Sequence, residues 1–100
     1  MIFRRGRFGD LVRRQLDLFA EDEAELLREA DTAARAYDGA EREEAEDAYG
    51  DYQLVLESVV ERLEELRDTY ATTLDDDSRD VYEQAFGRAA RRRFPTLTGL

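Results

Sequence analysis

Between Ala40 and Leu74 the residues Ala45, Tyr49, Tyr52, Leu56, Val59, Leu63, Leu66 and Tyr70 recur at alternating spacings of four and three. That rhythm puts them on one face of an α-helix, with a period close to a coiled-coil seam. A helix of this length extends roughly 50 Å at 1.5 Å per residue. A chain of 100 residues must therefore dock its other elements along this one.

The preceding stretch supplies a partner. Val12, Leu16, Phe19, Leu26, Ala30, Ala33 and Tyr37 form a second helical stripe, opened by Asp10 as a plausible N-cap. Asp38-Gly39 is the best turn signal in the first half, with Gly39 able to take the left-handed conformation that closes a helix. An antiparallel hairpin follows, its tip lined by small residues such as Ala33, Ala36 and Ala48. Asp75-Asp76-Asp77-Ser78 separates the second helix from a third. Asp77 or Ser78 is the expected N-cap, and Val81, Tyr82, Ala85, Phe86, Ala89 and Ala90 form a short apolar face. Phe94-Pro95 stops that helix, because the residue before proline avoids the α region.

The sequence thus predicts an all-α fold: a long antiparallel helical hairpin plus a short third helix. Residues 1–9 are a basic lead-in, 10–94 the helical domain with helices near 10–38, 40–74 and 78–93, and 95–100 a tail. The apolar arc of the central helix is wider than a two-helix seam needs, and the third helix is too short to cover the rest. A surplus around Tyr49, Tyr52, Val55, Leu56 and Val59 points to an interface, most simply a homodimer completing a helical bundle.

Two polar residues interrupt this pattern. Glu23 occupies a seam position between Phe19 and Leu26, and the hairpin register brings it level with Gln53. It could be wet, could hydrogen-bond Gln53 or a tyrosine hydroxyl and fix register, or could be half of a site. Gly50, inside the central helix, reads either as a tolerated glycine or as a point of close backbone approach.

Composition narrows the chemistry. With no Cys and no His, thiolate chemistry, Cys/His zinc sites and Ser-His-Asp triads are excluded. The carboxylates Glu57, Glu61 and Glu65 are spaced for a bundle metal site but lie off the stripe and lack the usual Glu-x-x-His partner. No catalytic, cofactor-binding or metal residues are assigned. All 15 basic residues are Arg, as codon bias in a GC-rich genome or adaptation to salt would give. No apolar run reaches the roughly 20 residues a bilayer requires. The first five residues have no apolar segment behind them, so the chain reads as cytoplasmic.

Charge is segregated along the chain. Residues 1–14 carry +4, residues 88–100 carry +4, and the 73 residues between carry −18, for a net −10. The alternation of Phe3 and Phe8 with Arg4, Arg5 and Arg7, together with Arg91, Arg92 and Arg93, could serve single-stranded nucleic acid. The acidic middle opposes that, and the preferred reading is that the ends neutralise the middle, within a chain or between chains. The expectation is a non-enzymatic assembly or adaptor module whose partner is a second copy of the chain or another protein. A nucleic-acid-associated protein is the alternative, and a carboxylate metal bundle a distant third.

Overall fold

The computed structural model describes residues 6–97. Four helices follow one another: α1 (Gly9–Asp22), α2 (Ala24–Asp38), α3 (Ala45–Ala71) and α4 (Asp76–Arg93), with no strand among the described residues. The fold is all-α, as the periodicities predict. The described chain is elongated, measuring 54 × 29 × 21 Å.

The residues of the central stripe divide by what they meet. Val59 and Leu63, 1% and 0% exposed, join Val12, Leu16 and Phe19 of α1 and Tyr82, Phe86 and Ala90 of α4 in one buried cluster. This three-helix head, built from α1, the C-terminal half of α3 and α4, holds the core. Tyr82 is its hub, with ring centroids 5.5 Å from Phe8, 4.8 Å from Tyr70 and 6.0 Å from Phe86. Its hydroxyl donates to the Gln15 amide oxygen Oε1 at 2.9 Å, so the one polar atom of the ring is satisfied. After α4 ends at Arg93, the chain turns through Pro95 and buries Leu97 against the same core. Beyond the head, α2 and the N-terminal half of α3 continue as a two-helix arm.

Three boundaries differ from those the sequence suggests. The first predicted helix is divided at Glu23, whose backbone (φ −108°, ψ 30°) leaves the helical region. Glu23 N–H still donates to Phe19 O at 2.8 Å and Leu27 N–H to Glu23 O at 3.0 Å, so the chain bends rather than stops. The bend lets α1 lie on α4 while α2 lies on α3. At the tip, Gly39 has φ −95°, so no left-handed cap closes α2. The chain instead spends residues 39–44 crossing to α3, with Glu44 N–H donating to Glu41 O at 2.9 Å. Finally, Asp75 rather than Asp77 or Ser78 caps α4: its carboxylate accepts from Ser78 N–H at 2.8 Å. That hydrogen bond holds the Asp75 carboxyl below its ordinary pKa. The same junction is tied by Arg79, whose guanidinium donates to the carbonyls of Ala71 and Leu74.

Candidate interaction surfaces

The arm is the first candidate. None of the α2 side chains is fully buried; Leu26, Leu27 and Ala30 are only half covered. With two helices and no third, each flank of the hairpin stays open. On one flank Val55 lines a shallow groove with Ala33, Ala36 and Ala48. On another, Tyr37 meets Tyr49 at 5.2 Å and stacks on Tyr52 at 6.3 Å, while Gln53 donates to the Tyr49 hydroxyl at 2.8 Å. Tyr49 is 45% exposed.

The five interface residues singled out in the sequence therefore separate. Tyr49, Tyr52 and Val55 lie on the arm with accessible surface. Val59 is consumed by the head, and Leu56 packs against its core, leaving only an edge toward Gln53, Glu57 and Val60. Val59, 1% exposed, thus has no surface left for a partner, while Leu56 keeps a partly open edge.

Glu23 and Gln53 are not brought together. Both oxygens of the half-buried Glu23 carboxylate accept from Arg62 Nη1, at 3.1 and 2.9 Å, and Gln53 is occupied with Tyr49. The structure places Glu23 at the bend, level with Arg62, nine residues beyond Gln53 on α3, where an acid on the seam meets a guanidinium at the water boundary. Gly50 has nothing within 4 Å of where a Cβ would sit, so no backbone of the same chain approaches it.

Basic residues form the second candidate. Arg4 and Arg5 lie outside the described residues. Arg7 donates to Ser78 Oγ at 3.0 Å and sits over the Phe8 ring. Arg93 is paired with Asp17 at 2.7 Å and lies over Phe94. The Arg91 guanidinium covers Gly87. Arg92 instead lines a groove of about 540 Å³ between α1 and α4, floored by Val12, Leu16, Ala85 and Ala89 and rimmed by Arg13, Arg88 and Arg93 as well. The sequence shows those arginines only as clusters near the two ends; that α1 and α4 run side by side and pool them appears only in the fold.

A third feature escaped the sequence reading. Leu54 is 64% exposed on the outer face of α3, beside Gly50 and among Asp47, Asp51 and Glu57. Its signal was an apolar residue standing off the four-and-three stripe. Among the described residues no three Asp or Glu side chains converge as a metal site, and no helix is long and apolar enough to cross a membrane. No family model, curated protein or solved structure matches the chain.

Proposed function

We propose that this protein is a non-enzymatic assembly module of the cytoplasm that pairs with a second copy of itself through the α2–α3 arm. One observation carries the reading: α2 is an amphipathic helix that buries no side chain completely within its own chain. An amphipathic helix gains its stability mainly by packing its apolar face. Here Val55 and the alanines opposite it form a groove with small side chains, where another helix can approach closely. Two arms laid together make a four-helix bundle and cover what two helices cannot. The exposed tyrosines at the arm's edge suit such a contact, since tyrosine combines apolar area with a wet hydroxyl. A different protein presenting an amphipathic helix would use the same groove.

The nucleic-acid reading has less support. Arg7 and Arg93 are engaged inside the chain, and the acidic middle separates the remaining arginines from any extended anion-binding track. The metal-bundle reading has no cluster to stand on among the described residues.

Light scattering at micromolar concentration in 1 M NaCl tests the pairing, because charge contacts are then screened and apolar packing remains. The expected mass is twice the 11.6 kDa of one chain. Ala36→Glu, at a position open to water in the single chain, should return the protein to one chain without loss of helicity. A mass of 11.6 kDa for the unaltered protein would overturn the reading.

A further inference from the structure

We propose that the groove between α1 and α4 receives the acidic outer face of α3 from a second copy of the chain, with Arg88 and Arg92 reaching the carboxylates that flank Leu54. The contact extends the self-assembly reading and shares only Asp51 with the arm groove, while Arg88 and Arg92 lie wholly outside it, so either can fail alone.

The groove is chemically unusual for this molecule. On a chain of net charge −10, arginines from two helices share one apolar-floored cleft. Arg93 is held by Asp17, and Arg13 lies 3.7 Å from Asp10. Arg88 and Arg92 have no carboxylate partner among the described residues, although acids outnumber arginines by ten in the sequence. Like charges pooled at one cleft repel, and carboxylates entering it would relieve that repulsion. Guanidinium groups bind carboxylates in bidentate geometry. The small side chains of Ala85 and Ala89 on the floor admit a helix at close range.

The complementary surface is on the same chain. Asp47, Asp51, Glu57 and Glu61 stand seven before, three before, three after and seven after Leu54, so they frame it on one helical face. None of the four makes an ion pair among the described residues. Leu54 is the most exposed large apolar residue of the described chain, and Gly50 beside it leaves a notch that nothing in the same chain fills. Leu54 set on the alanine floor would bring Asp51 and Glu57, about 9 Å apart along α3, to Arg88 and Arg92, about 6 Å apart along α4. Long arginine side chains span that difference. Because the two surfaces differ, the contact is heterologous: copies joined this way form rings or open chains.

Charge-swap mixing of full-length protein tests it. At 0.15 M NaCl the screening length is about 8 Å, enough to damp repulsion between whole chains but not to cancel touching pairs; at 1 M it is about 3 Å. The unaltered protein should show a larger mass by sedimentation at 0.15 M than at 1 M NaCl. Arg88→Glu/Arg92→Glu and Asp51→Arg/Glu57→Arg should each lose that salt-sensitive association, weakening it at least tenfold. Mixed in equal amounts, the two variants should bind each other at least tenfold more tightly than either binds itself, which also shows that both are folded. A salt-independent mass for the unaltered protein, or a mixture no tighter than its components, overturns the proposal. So does retention of a single-stranded oligonucleotide by the unaltered protein but not by the Arg88→Glu/Arg92→Glu variant, without any salt-sensitive mass. Arm pairing persists at 1 M NaCl in the Arg88→Glu/Arg92→Glu variant, which leaves the arm groove untouched, so its presence or loss there bears only on the arm.

Discussion

Leu63 has no accessible surface and sits where α1, α3 and α4 meet. Leu63→Ala should cost roughly 2–5 kcal/mol, the range for emptying a buried leucine site, measured by urea unfolding. Tyr82, equally buried, gives the head a pH edge. Burial pushes its phenol from an ordinary 10.0 up to about 12. Between those values the unfolded chain has released the proton and the folded chain has kept it. Stability from this group is therefore complete below pH 10 and falls as pH rises through about 12. Tyr82→Phe should flatten the alkaline limb of a melting-temperature profile, while at pH 7 losing about 1 kcal/mol with the Gln15 hydrogen bond. Leu63 was legible from spacing alone, since it lies on an unbroken stripe. Glu23 was legible as an anomaly, but its partner was not: Arg62 is 39 residues away, and only the bend decides which residue of α3 it meets. Such a pair, with the Arg62 side chain half exposed, adds at most about 1 kcal/mol.

At the scale of the helix, α3 follows its sequence rhythm from Ala45 to Ala71, while its neighbours show why boundaries are harder. Four consecutive residues, Asp75 to Ser78, are all good caps, and local preference does not choose among them. Asp75 is selected because Ser78 must sit inward, 7% exposed, to accept from Arg7. Likewise α1 and α2 share one continuous pattern, and their separation at Glu23 goes with different packing partners, α4 for α1 and α3 for α2. Gly50 is the converse case, a residue whose cost no tertiary contact explains. A methyl group there meets open space in the single chain. Gly50→Ala should raise stability by about 1 kcal/mol, the helix-propensity difference, seen as a higher melting temperature at 1 M NaCl.

Across the whole molecule, order of burial runs along the long axis. Among the described residues the head collects every fully buried large side chain, and the arm has none from α2 and only half-covered or exposed residues from the facing stretch of α3. The division was partly visible beforehand, as an apolar arc wider than one partner could cover. The groove in the head was not visible, because its walls come from residues at least 69 positions apart, Leu16 and Ala85 being the nearest in sequence. Hydrogen bonds in weakly packed segments break in local openings that leave the rest intact. Amide exchange by mass spectrometry should therefore be graded, fast at the tip around residues 36–48 and slowest near Leu63 and Phe86. Docking along the arm would slow exchange in residues 24–57 and leave the head nearly unchanged. The uncovered arm makes the chain a gauge of its own occupancy: how long its tip amides keep their protons measures how much of the protein has found something to hold.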